Sequence, residues 1–213
     1  MTRKILLLSL AFVLLLCSCS NEKGTDVGYA TVNGEVITVS EFEYFKSRLR
    51  SEVINYFIAE YSAKYDDAFW QTEFGGRTPE EELADRALKE CVYAKIQLVL
   101  CREYGVHDDI SFDALLEKAQ KFNEENASSG GMVGVKSIDP ESFYTYYIET
   151  GVTELKNILG EGELKPSENE INEFMKNFGS NEENRAAAYK KAVDKKYDEY
   201  IASLYEQSKI ELI

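Results

Sequence analysis

Histidine is nearly absent from this chain of 213 residues: His107 is the only one, set beside Asp108 and Asp109 where a turn is expected. A lone imidazole among acidic neighbours reads as a solvated loop. With no HExxH, CxxC, GxSxG or P-loop pattern anywhere, the chain lacks the spacings that metal, redox, acyl-transfer or nucleotide chemistry needs. No catalytic residue, no metal ligand and no cofactor is therefore assigned. Positive charge is also scarce, with 24 Lys and Arg against 38 Asp and Glu, a formal net charge of −14. That balance argues against nucleic acid and against direct binding to anionic headgroups. Long apolar runs are missing except at the start, so no later segment is expected to cross a membrane. Cysteine is sparse as well. Cys91 and Cys101 fall ten residues apart in one expected helix, about 15 Å along its axis, beyond disulfide reach. Both read as small buried hydrophobes.

What is present begins with an address. Thr2-Arg3-Lys4 is a short positive stretch, and Ile5 to Leu16 is almost unbroken hydrocarbon. A spanning helix needs about 20 apolar residues, so this shorter run reads as the apolar core of a signal peptide. It ends in Leu16-Cys17-Ser18-Cys19, which resembles a bacterial lipobox. That resemblance implies cleavage before Cys19 and covalent lipid on it, with two or more acyl chains giving a stable anchor. Residues 1–18 are thus expected to be a signal peptide, 19–28 a polar tether, and 29–213 one folded domain. An exported, membrane-anchored location outside the cytoplasm follows. Discarding Arg3 and Lys4 takes two positive charges from −14, leaving −16. Aromatics are plentiful, with 14 Tyr, 11 Phe and 1 Trp, which disfavours disorder.

The domain should be mainly helical. Asn33-Gly34 between Tyr29 and Thr38 signals a hairpin with a type I′ turn. Ser40 with Glu43 reads as a capping box. It precedes a helix whose apolar face is Phe42, Phe45, Leu49, Val53, Phe57 and Tyr61, with Phe69-Trp70 near its end and a break at Gly75-Gly76. Thr78-Pro79-Glu80-Glu81 opens a second helix that stops near Gly105. Ser111 opens a third through about Glu125, Asp139-Pro140 a fourth, and Ser167 with Glu170 a fifth. A last long helix is expected over about 183–208, followed by an alternating terminal strand, Lys209 to Ile213. A two-stranded hairpin is marginal alone, so the terminal strand is expected to join it and bring the two ends together. The Gly/Ser-rich patch at 126–135 is expected to be a loop.

Ala30 to Phe42 resembles the opening of the SurA and PrsA families of extracytoplasmic folding factors. In those families an alanine, a valine, Asn-Gly and an isoleucine precede a capped helix. Leu83 to Asp109, Leu164 to Ile171, and Tyr197 to Glu211 resemble further parts of the same module, in the same order. The resemblance implies a multi-helix, SurA N-terminal or trigger-factor-like peptide-binding domain with a small hairpin joined by a C-terminal strand. It also implies unfolded or exported polypeptides as partners. The isomerase (parvulin) domain that some members carry would fall between about Phe178 and Arg185. Only a few residues stand there, and its histidines are missing. No isomerase activity is expected.

A helical body that holds unfolded chains needs a concave wall of rings and hydroxyls. The candidates are Tyr56 and Tyr61 on the first helix, Phe69 and Trp70 after it, and Tyr144 and Tyr146 on the fourth. Positions 143 and 147 share a helical face while 144 points about 100° away, so some of the rings in this stretch are expected off the core. The acidic residues read mostly as a solvated face, with a secondary preference for basic client segments. Three functions stand: a tethered, ATP-independent holdase; a lipoprotein module docking on one folded partner; and, last, an enzyme. Client breadth separates the first two. Oligomeric state is not legible in the sequence.

Overall fold

In a computed structural model, residues 27–128, 137–176 and 181–213 are described. Cys17 and Cys19, with the whole expected signal and most of the tether, lie outside these residues, as do 129–135 of the expected loop. The chain between them forms a small antiparallel sheet and six helices: β1 (Gly28–Val32), β2 (Glu35–Thr38), α1 (Val39–Tyr61), α2 (Pro79–Glu103), α3 (Phe112–Ser128), α4 (Pro140–Glu161), α5 (Glu168–Met175), α6 (Glu182–Gln207) and β3 (Ile210–Leu212). Among the described residues no helix is long and apolar enough to cross a membrane.

Asn33 and Gly34 turn the hairpin with φ of 52° and 89°, the positive values a type I′ turn demands. β1 lies between β2 and β3, so the chain ends meet as expected. Asn33 does a second job here. Its backbone N–H donates to the Lys209 carbonyl, and its side-chain oxygen accepts from the Lys209 N–H, both at 2.9 Å. One turn residue thus fixes the hairpin and pins the returning strand.

Helix starts follow cap chemistry. Thr78 and Glu81 form the reciprocal box that opens α2, with Pro79 in the first turn, and Ser167 with Glu170 do the same for α5. Asp139 caps α4 through the Ser142 N–H. The start of α1 differs from expectation. Its cap is Thr38, whose hydroxyl accepts from the Glu41 N–H, and Ser40 lies inside the helix. The sheet decides this: Thr38 is paired with Gly28, and the Val39 N–H still reaches the Val27 carbonyl, so the strand hands over directly to the helix. Glu41, in the first turn of this helix, is fully buried. α1 ends with its apolar pattern, at Tyr61, sooner than the expected end near Phe69-Trp70, and Ser62 there takes a left-handed conformation. Phe69 and Trp70 belong to a separate 3-10 turn (Phe69–Gln71) rather than to the end of α1.

α2 is the spine, packed by the sheet, α1, α4 and α6. Its buried residues surround it: Leu83, Ala87, Cys91, Val92, Ala94, Ile96, Leu98, Leu100 and Cys101. The main core joins these to Ala30, Ile37 and Phe42 on one side and to Leu155, Leu159, Tyr197 and Ile201 on the other. A second cluster under α3 gathers Tyr44, Leu98, Ile110, Phe112, Leu115 and Tyr144. A third, at the far end of α1, holds Val53, Phe57, Ala63, Phe69 and Leu83. Cys91 and Cys101 are free and buried, as small hydrophobes should be. Burial pushes both thiols up, Cys101 to about 11.

His107 is not the solvated loop residue expected. Its ring stacks on Tyr147 at 3.7 Å, and Nε2 lies 3.1 Å from the Tyr147 carbonyl. Gly151 makes the room, since a Cβ there would sit 2.4 Å from His107 Nε2.

Candidate functional site

The buried heart of the molecule is polar. Glu41 on α1 is fully buried, and Lys95 on α2 is 3% exposed. Lys95 Nζ lies 2.9 Å from Glu41 Oε2, in ion-pair contact but off the axis of a hydrogen bond. The Tyr144 hydroxyl on α4 donates to Glu41 Oε1 at 2.5 Å. Burial, then the Glu41 charge, push the Tyr144 phenol well above its ordinary range, so it stays protonated and able to donate. One carboxylate therefore ties three helices together.

About one turn along α1 the same three helices part. α2 supplies a floor of Glu90, Tyr93, Ala94 and Gln97. α1 forms one wall with Tyr44, Phe45, Arg48, Leu49 and Glu52, and α4 the other with Thr145, Ile148 and Glu149. This depression holds about 390 Å³ and runs into a second of about 390 Å³ between Arg48, Asp139, Glu141, Ser142, Thr145 and Tyr146. The two share Tyr44, Arg48, Thr145 and Glu149, so they form one open groove. Arg48 marks the junction. Its Nη1 donates to Thr145 Oγ1 at 2.5 Å and to the Tyr44 hydroxyl, bridging the walls. The floor is held from below: Gln97 donates to the Tyr93 carbonyl and accepts from the Tyr197 hydroxyl at 3.1 Å. Tyr93 stacks on Tyr205 with ring centroids 4.7 Å apart.

The carboxylates along the groove are unequal. Glu52 pairs with Arg86 at 2.7 Å, and Asp139 is occupied as the cap of α4. Glu90, Glu141 and Glu149 have no ion-pair partner among the described residues. A roomier hollow of about 640 Å³ lies between α4 and α6, where two polar pairs close across the gap and Glu161 and Lys190 have no ion-pair partner among the described residues. Lys156 pairs with Asp194 at 2.9 Å, and the Tyr189 hydroxyl donates to the Gly160 carbonyl. The α1–α2–α4 groove differs in combining several rings and aliphatic walls with unpaired charge of one sign, Glu90, Glu141 and Glu149. Among the described residues no group of three or more His, Cys, Asp and Glu could hold a metal ion.

The residues singled out from sequence separate into three places. Tyr146 lies on the groove edge, 58% exposed. Tyr56 and Tyr61 sit at the far end of α1, 37% and 40% exposed, their rings edge to face at 6.2 Å. Trp70 is half-buried beside them, under the Arg50 guanidinium at 4.1 Å, with its indole N–H unpartnered. Phe69 and Tyr144 are corrections. Phe69 is 1% exposed, enclosed by Phe57, Trp70 and Phe74, and cannot line a cleft. Tyr144 is fully buried because α4 is gripped on two sides: α3 and His107 meet the Phe143–Tyr147 face, while α1 and α2 take the face about 100° round. Arg48, Thr145, Gln97, Glu41 and Lys95 were missed. Lys95 and Gln97 left a trace, as the lysine and the amide within an otherwise apolar helical stretch, Cys91 to Cys101.

The chain matches no family model, no curated protein and no solved structure.

Proposed function

We propose that this chain is a membrane-tethered, ATP-independent holdase for unfolded or exported polypeptides, without prolyl isomerase activity. The observation that carries this reading is the open groove between α1 and α4, which sets Phe45, Leu49, Tyr93 and Ile148 beside hydroxyl and amide groups. An unfolded segment offers apolar side chains and backbone amides together, and such a wall answers both. The lipobox-like Leu16 to Cys19 supplies the tether, and the polar stretch after Cys19 the slack. The finer fold assignment, a SurA N-terminal-like module, rests on the order of the motifs and agrees with the meeting of the chain ends in one sheet.

A second reading, docking on one folded envelope partner, draws on a different surface. Tyr56, Ile58, Tyr61 and Tyr65 are all exposed at the far end of α1. Aromatic clusters of that kind are enriched at protein interfaces.

The discriminating experiment adds the protein in increasing ratio to several unrelated polypeptides diluted from denaturant and follows light scattering. Suppression across clients, weakened by Ile148→Asp in the groove, supports the holdase. Absence of suppression at several-fold excess removes it and favours the docking module. A proline-isomerisation assay on the same sample should show no acceleration.

A further inference from the structure

We infer that the groove selects extended polypeptide segments carrying two cationic side chains on either side of an apolar residue. The inference rests on the groove being the polypeptide-binding surface. Its charge is one-sided. The single cation of the lining, Arg48, is already engaged by Thr145 and the Tyr44 hydroxyl, while Glu90, Glu141 and Glu149 face the opening without ion-pair partners among the described residues. An acidic segment would meet three unanswered carboxylates, and a cationic one would answer them.

The dimensions set the spacing. Glu141 and Glu149 are eight residues apart on α4, a rise of about 12 Å along the helix. An extended chain covers that distance in about four residues at roughly 3.3 Å each. Along the groove the apolar contact comes from Ile148 and the aromatic ring of Tyr146 on one wall and from Phe45 and Leu49 on the other. A segment with lysine or arginine about four positions apart and a leucine or aromatic residue between them places charge on charge and hydrocarbon on hydrocarbon. The carboxylates are partly exposed, so each pair contributes modestly and is screened by salt. The selectivity is a matter of about tenfold in affinity, the sum of two such pairs.

The test uses the full chain in mild detergent and fluorescent nonapeptides read by anisotropy. One peptide carries two lysines four positions apart around a leucine. In a second, both lysines are glutamine, and in a third, glutamate. The lysine peptide is expected to bind about tenfold tighter than the glutamine peptide, the glutamate peptide weakest, and the advantage to shrink several-fold in high salt. Combined Glu90→Gln, Glu141→Gln and Glu149→Gln should erase the advantage and leave the glutamine peptide unchanged. Equal binding of the lysine and glutamine peptides, indifferent to salt and to the triple variant, overturns the charge selection while leaving the groove in place. If Ile148→Asp and the exposed-rim variant Tyr146→Ala both leave every peptide bound as before, the groove itself is not the binding surface. Circular dichroism of each variant confirms that it is folded.

Discussion

The buried Glu41 centre and the open groove are built by the same three helices, about one turn apart on α1, and they solve opposite problems. At the centre every helix contributes a group that another must satisfy: Lys95 faces Glu41, and Tyr144 donates to it. Water is excluded, so each charge depends on its neighbours. In the groove the walls are bridged by Arg48, the Tyr44 hydroxyl and Thr145, and Glu90, Glu141 and Glu149 face solvent. Removing one group there leaves nothing stranded. On the proposed reading, the difference separates stability from binding. The centre sets how α1, α2 and α4 diverge, and the groove is the space that divergence leaves.

The largest effect should come from breaking the centre. Glu41→Gln strands the Lys95 ammonium, and loss of a buried partner costs about 3–5 kcal/mol. Urea unfolding should show this as a lowered midpoint with little change in slope. Replacing both partners, Glu41→Met with Lys95→Met, removes the stranded charge and should recover most of the loss. A double variant no more stable than Glu41→Gln would mean that the pair fixes helix placement rather than merely balancing charge. Tyr144→Phe is milder. It deletes one donor to a charged oxygen and should cost about 1.5–3 kcal/mol by the same measurement.

Much of this fold was legible because local chemistry and tertiary demand agree. The Asn33-Gly34 turn, the Thr78 and Ser167 boxes and the Asp139-Pro140 start all rely on residues within a few positions of one another. Where the sheet intervenes, local reading fails. Ser40 and Glu43 had the spacing of a cap, but strand pairing at Thr38 started the helix earlier. The groove was barely legible. Of the residues chosen from sequence for binding, only Tyr146 lines it, and its central bridge joins Arg48 to Thr145, 97 residues away. Aromatic content marks candidates, but which face of α4 is covered depends on α3, and no periodicity within α4 encodes that.

Acid should also act outside both regions, at the start of α5. Hydrogen bonds from the Ser167 backbone and hydroxyl, aided by Lys196, hold the Glu170 carboxyl at about 2, below its ordinary 4.5. A depressed folded-state value means the stabilisation is fully present above about 4.5 and is lost as pH falls towards 2. Amide hydrogen exchange should therefore show α5 fraying across that window, with Glu170→Gln showing the same exchange already at neutral pH. Uniform protection of α5 down to pH 2 would show that its packing on α6, not the cap, holds it.

The smallest stability effect should come from the groove. Tyr146→Ala truncates a ring that is 58% exposed and has no hydrogen-bond partner through its hydroxyl among the described residues. Surface changes of this kind stay within about 0.5 kcal/mol. The same substitution removes one of the rings that a bound segment would meet beside Glu141 and Glu149, so aggregation suppression should weaken several-fold while the urea midpoint holds. Tyr144→Phe should show the reverse, a lowered midpoint with suppression per folded molecule retained. If the two variants instead lose stability and suppression in parallel, the groove is not functionally separable from the centre, and client binding draws on the whole three-helix junction.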